Sequence, residues 1–164
     1  MNPYTLRNED FIDRVDVICP KCQSRALVTG GKPHGSVAEQ ETHVKFTCVT
    51  CGYALFYKNT PSFAIYKNSS HTEKKLRPIF LNSPCDPFFA FNLWYKTDTT
   101  FGVIWAYNLK HLLIIEDYIA DKLRERHNVD MQNNSIASRL PQWIKSAKNR
   151  SYLLKIIHKL KQHA

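Results

Sequence analysis

The chain contains no G-x-x-x-x-G-K-S/T phosphate loop, no G-x-G-x-x-G fingerprint and no H-E-x-x-H pair. The common nucleotide-cradling and metalloprotease chemistries therefore have no local signature in it. Its seven histidines are scattered, and His111 and Glu116, five residues apart on an expected helix, face different ways. Glu73-Lys74-Lys75 has the Glu-x-Lys form used by metal-dependent nucleases, but no convincing Pro-Asp precedes it and its polar setting reads as a loop. The expectation is a protein without catalytic activity and without a small-molecule substrate.

Long apolar runs are missing as well. The longest unbroken aliphatic stretch is Leu112 to Ile115, whereas a membrane span needs about 20 residues. The opening "MNPYTLRNEDFIDR" has no apolar core and carries Glu9, Asp10 and Asp13, the reverse of a secretory signal and too acidic for a mitochondrial one. A cytoplasmic location without a membrane partner is the expectation.

Acids are absent from the last 34 residues. From Met131 to Ala164 the chain holds Arg139, Lys145, Lys148, Arg150, Lys155, Lys159 and Lys161 and no Asp or Glu. The formal charge of +9 is accordingly uneven: residues 1–60 contribute +1, residues 61–108 +2 and residues 109–164 +6. A basic end on a nearly neutral body suits a polyanion such as nucleic acid, and solubility is the plainer reading of the same asymmetry.

What is present is led by five cysteines, Cys19, Cys22, Cys48, Cys51 and Cys85. The first four make a C-x2-C pair, 25 intervening residues and a second C-x2-C pair. In a reducing compartment persistent disulfides are rare. A thioredoxin-like dithiol has one such pair at a helix start within an α/β pattern, which is not seen here. The spacing matches no common ferredoxin run. Zinc takes four thiolates in a tetrahedron, and a tight turn after a strand offers two of them from positions i and i+3. Pro20 suits the first turn, and Gly52, directly after Cys51, suits a positive φ in the second.

The flanks read as strands: "VDVI" (15–18) and "RALVT" (25–29) around the first turn, "THVKF" (42–46) and "YALFY" (53–57) around the second, with "GGKPHGSVAEQE" (30–41) as a polar loop. Two hairpins clasping a metal make a zinc ribbon. Residues 13–58 resemble the four-cysteine zinc ribbons of transcription factors and of many small nucleic-acid proteins. The whole chain is similar to bacterial proteins that join such a ribbon to "LWY", "WAYN" and "RLPQWIKSAKNR"-like segments, a resemblance that implies no activity. Four thiolates leave zinc no open position, so the ion is structural, and with it the net charge falls from +9 to +7. Lys21, Arg25 and Lys45 are nearby cations able to offset the local negative charge.

From Tyr53 to Tyr107 the chain is crowded with aromatics, either as core or as a surface for bases or a partner protein. Cys85 reads as a small buried or half-buried side chain. "NSSHTEKK" (68–75) reads as a loop and "GVIWAYN" (102–108) as a strand running into a helix over 109–126, capped by Asn108. Leu112, Ile115, Ile119 and Leu123 mark its buried stripe; Glu116 falls within the apolar arc and needs a Lys, Arg or Tyr partner. A last helix over 152–160, capped by Asn149 or Ser151, carries Leu153, Ile156, Ile157 and Leu160 on one side and Lys155 and Lys159 on the other.

The expected architecture is α+β: a four-cysteine ribbon of short antiparallel strands over residues 1–60, then an aromatic-rich segment and basic packed helices over 61–164. The expected metal ligands are Cys19, Cys22, Cys48 and Cys51, and the candidate nucleic-acid contacts are Arg139, Lys145, Lys148, Arg150, Lys155 and Lys159. The competing expectation is a protein-binding module, such as an immunity-type toxin neutraliser or an adaptor to a nucleic-acid machine.

Overall fold

The computed structural model describes residues 2–67, 73–121 and 134–162. Four short strands, β1 (Arg14–Ile18), β2 (Arg25–Thr29), β3 (Lys45–Thr47) and β4 (Ala54–Phe56), form an antiparallel meander in that order. Its register aligns Val15, Val28, Phe46 and Leu55 in one cross-strand row, and the first three are fully buried. Such same-face rows are what hold strands of three to five residues together. In a meander the first and third connections leave from the same end of the sheet, and here those two connections carry the four cysteines.

The second connection departs from expectation. It contains a helix, α1 (Val37–His43), and β3 begins only at Lys45. Ser36 Oγ accepts the Glu39 N–H while the Glu39 carboxylate accepts the Ser36 N–H, a complete capping box. The buried Gln40 exchanges two hydrogen bonds with the Lys32 backbone, fixing the helix against the loop before it. Glu73 to Lys75, expected in a loop, lie in a strand: β5 (Phe63–Lys67) pairs with β6 (Glu73–Leu76). Pairing across strands satisfies this polar backbone, which composition alone does not reveal. Residues 68–72 lie outside the described residues.

A hairpin of β7 (Tyr95–Thr99) and β8 (Gly102–Ala106) then leads into α2 (Leu109–Ala120). Asn108 caps it: Oδ1 accepts the His111 N–H at 2.9 Å, and Nδ2 donates to the Phe11 and Arg14 carbonyls, pinning the helix start to the N-terminal segment. The helix stops at Ala120, short of the expected 126, because Asp121 turns to an extended backbone. Arg150, distant in sequence, donates there to the Ile119 and Asp121 carbonyls. Leu123, Lys122, Arg124 and Arg126 lie outside the described residues.

Two single-turn helices, α3 (Ile136–Arg139) and α4 (Gln142–Lys145), precede α5 (Arg150–Gln162). This last helix is longer than expected at both ends. A 3-10 turn, Ala147–Asn149, runs directly into it, so Ser151 lies inside the helix, and the Asn149 amide donates to the Trp143 carbonyl. α2 packs on α5, and Leu112, Ile115, Ile119, Leu153 and Ile157 are all buried in the common core. Glu116 finds its partner in Lys161, whose ammonium lies 2.7 Å from both carboxylate oxygens.

The buried apolar side chains form one cluster to which residues on both sides of position 60 contribute. The outer edge of β1 is bonded to the C-terminal part: Ile18 N–H to Asn92, Trp94 N–H to Asp16 and Asp16 N–H to Tyr107. Tyr57, Phe88, Tyr95 and Tyr107 are buried in this core, with Phe89, Phe91, Trp94 and Trp105 packed on its margin. The crowded aromatic middle is mainly core.

Candidate metal centre

The sheet brings the two cysteine turns together. Cys19 and Cys48 are buried, Cys22 half-buried and Cys51 exposed; none is in a disulfide. The four sulfurs lie within 4.8 Å of one another, with Cys19 to Cys51 at 3.7 Å and Cys22 to Cys48 at 3.5 Å. Thiolates about 2.3 Å from a tetrahedral zinc ion stand about 3.8 Å apart, so the cage is compatible with a zinc-binding site. It leaves no room for the additional iron and sulfide atoms of a cluster.

Both turns are built alike. The Cys19 N–H donates to the Ser24 carbonyl and the Gln23 N–H returns to Cys19; the Cys48 N–H donates to the Tyr53 carbonyl and the Gly52 N–H returns to Cys48. Each places a positive φ four residues after its first cysteine, 62° at Gln23 and 72° at Gly52. Gly52 adopts it freely. Gln23 does so without that advantage, and no residue-type signal announced it.

Without a cation the clustered thiols compete for charge. Hydrogen bonds from the Ser24 side chain and backbone pull Cys22 down to about 6. Cys51 accepts from the Tyr53 amide, which lowers it, yet burial and the sulfurs of Cys22, Cys48 and Cys19 push it up to about 12. A divalent ion removes this conflict, since a coordinating thiol is deprotonated outright. Of the three nearby cations, Lys21 sits 3.9 Å over the Tyr53 ring and Lys45 is exposed. Arg25 is committed elsewhere, to the buried carboxylate of Asp16 at 3.1 Å. Burial raises the Asp16 pKa and Arg25 opposes the rise.

The six candidate nucleic-acid contacts sort into two groups. Arg150 caps α2, Arg139 donates to the Asn134 side chain at 3.0 Å, and Lys145 donates to the Ser138 carbonyl at 3.1 Å. Arg150 and Lys145 thereby link helices, whereas the Arg139 bond is local to the start of its own helix. Lys148, Lys155 and Lys159 are exposed and have no hydrogen bond or ion pair among the described residues. Tyr152, Lys155 and Lys159 stand at i, i+3 and i+7 on α5 and so share one face.

Beside that face lies a groove of about 600 Å³ between β7 and α5. Trp94, Lys96, Asp98, Tyr152 and Lys159 line it, together with Ile18, the residue before Cys19. Sequence reading had no access to this feature, whose two walls come from segments more than 50 residues apart.

Two buried ionisable groups were also missed. Asp86 is fully buried and accepts backbone N–H groups from Phe88, Phe89 and Phe91. His111, 1% exposed, stacks on Phe11 at 4.8 Å, and its Nδ1 accepts the Tyr107 N–H, leaving the proton on Nε2. Burial pushes its pKa down to about 3. Between about 3 and 6.5 the unfolded chain therefore binds a proton that the native state refuses, so His111 makes stability fall as pH drops below 6.5. We expect the His111 imidazole resonances to stay at their neutral positions from pH 7.5 to 5 in an NMR titration; a midpoint near 6.5 would contradict its burial.

Comparison with protein-family models, with curated proteins and with solved structures finds no match for this chain. Among the described residues no helix is long and apolar enough to cross a membrane.

Proposed function

We propose that this is a non-enzymatic zinc-ribbon protein of the cytoplasm that binds nucleic acid through the exposed face of α5, with Zn²⁺ held by Cys19, Cys22, Cys48 and Cys51 as a structural ion. The four-sulfur cage supports the zinc reading, since a tetrahedral ion held by all four thiolates would have no position left for water or substrate. The observation that carries nucleic-acid binding is the trio Lys148, Lys155 and Lys159, exposed and unpaired among the described residues, in a stretch with no acid from residue 131 onward. Solvated lysines with no internal partner are free to replace the counterions condensed on a phosphate backbone.

The test is binding of the metal-loaded chain to generic single- and double-stranded DNA and RNA across about 50–300 mM salt. Affinity should fall linearly on a log–log plot. The Lys148→Ala/Lys155→Ala/Lys159→Ala variant should lose roughly 2 units of slope on single strands and about 3 on duplex. Absence of binding at low salt would sink the reading. A protein partner would then take precedence, favoured by Val49, Phe56 and Phe63, which are apolar and 91%, 50% and 63% exposed.

A further inference from the structure

The groove between β7 and α5 adds what the lysines alone lack, a surface for a base. Tyr152, 39% exposed, stands on its α5 wall and Trp94 on the opposite side, with Ile156 and Leu160 completing an apolar floor. Lys159 on α5 and Lys96 on β7 bring a cation to each side, Lys96 also donating to the Asn92 side chain at 3.1 Å. Among the described lining residues Asp98 is the one carboxylate, and Thr97 precedes it. The aromatic track continues beyond the groove. Phe101, at the tip of the β7–β8 hairpin and 50% exposed, meets Tyr152 edge-on at 5.9 Å and stacks on Trp143 at 6.2 Å. Gly102 lies close under that stack, where a Cβ would stand 3.2 Å from the Trp143 ring.

Duplex nucleic acid buries its base faces and offers this groove only phosphates. An unpaired strand offers alternating flat apolar rings and anionic links, the pattern that Tyr152, Trp94 and Phe101 interleaved with Lys96, Lys155 and Lys159 complement. The volume falls in the range of small-ligand clefts, several hundred cubic ångströms. We infer that the groove seats an unpaired base of single-stranded nucleic acid, stacked against Tyr152 and Trp94, with neighbouring phosphates on Lys96 and Lys159. Thr97 and Asp98 lie where a base edge enters, Asp98 as an acceptor for amino and imino N–H groups. This inference rests on the nucleic-acid reading of α5 and narrows it to single strands.

The experiment compares single strands and duplexes of matched short length by fluorescence anisotropy, using the full metal-loaded chain. Tyr152→Ala should weaken single-strand binding about 10-fold, the scale of one lost stacking contact. Duplex affinity and salt slope should not change. Tyr152→Phe should restore the wild-type value. As a readout independent of the variant's stability, ultraviolet crosslinking of a uridine oligonucleotide to the wild-type chain should map to Trp94 or Tyr152.

Equal losses on single strand and duplex, or crosslinks confined to other segments, would overturn the groove assignment. Binding of duplex alone would overturn it while leaving the basic face standing. A free nucleoside monophosphate bound as tightly as the oligonucleotide would make the groove a small-molecule site instead. No binding of either nucleic acid would remove the underlying reading itself.

Discussion

Removing the proposed zinc with a strong chelator, or replacing Cys48 with Ser, is expected to collapse the four-stranded sheet and most of the tertiary structure with it. β3 and β4 are three residues each, and the turn joining them holds its shape through two backbone hydrogen bonds and the Cys48 and Cys51 sulfurs. Strands this short have few cross-strand contacts of their own. Structural zinc contributes on the order of 10 kcal/mol at neutral pH, comparable to the whole stability of a typical domain. The loss should propagate because Val17, Cys19, Cys48 and Phe46 belong to the same buried cluster as Leu112 and Ile157. Near-UV circular dichroism should report lost aromatic packing in both cases. Cys85→Ser, at a half-buried residue outside the cage, should leave the signal intact. A stripped chain that keeps its near-UV spectrum would show that the metal is dispensable.

Replacement of Asp86 by Ala should destabilise the metal-loaded chain by about 3–5 kcal/mol, read from the urea midpoint. Its carboxylate accepts the N–H groups of Phe88 at 2.9 Å, Phe89 at 3.1 Å and Phe91 at 2.7 Å. Truncation leaves these amides without a partner, each at about 1–3 kcal/mol if desolvated. The loop they shape presents Phe88 and Phe89 to Tyr57, and Phe91 to Phe46, so its loosening also opens the core. Asp86→Asn should cost less, since its single carbonyl still accepts from one side while its amide faces an N–H on the other. A neutral effect of Ala would mean that the loop holds itself.

Asp86 also has a pH signature. Burial pushes its pKa up to about 6, against the amides of Phe88, Phe91 and Phe89, which hold it down. The native state then retains a proton between about 3.8 and 6 that the unfolded chain releases. Its contribution is full below the unfolded value and is lost as pH rises through 6. His111 acts in the opposite sense over the same interval, so the two partly cancel between pH 4 and 6. Asp86→Asn should unmask the His111 slope.

Local chemistry was legible in the sequence, and long-range chemistry was not. Cys19, Cys22, Cys48 and Cys51 were readable because the i, i+3 spacing and strand-like flanks set the two turns without reference to the rest of the chain. Gly52 was readable for the same reason, whereas Gln23 takes the equivalent backbone conformation with no glycine to mark it. The Ser36–Glu39 capping box was a visible helix start that the surrounding Gly, Pro and polar residues obscured. Asn108 was identified as a cap, but not its second task of tethering α2 to Phe11 and Arg14.

Glu116 revealed itself by lying in an apolar arc, and Lys161 answers it from the far end of the chain. The end of α2 could not be read locally, because Arg150 supplies hydrogen bonds to its last carbonyls from 29 and 31 residues away. The same distance rule hid the role of Arg150 among the basic residues. Arg150 looked identical to Lys148, Lys155 and Lys159 in sequence, and only its long-range contacts set it apart, whereas Arg139 and Lys145 bond to residues five and seven positions away.

The most direct measurement is the metal content of the purified chain by native mass spectrometry with elemental analysis, alongside Cys48→Ser and Cys85→Ser. One zinc per chain, lost in Cys48→Ser and kept in Cys85→Ser, is the expected result. A folded chain with no metal, or one carrying iron with acid-labile sulfide, would contradict the four-cysteine zinc centre.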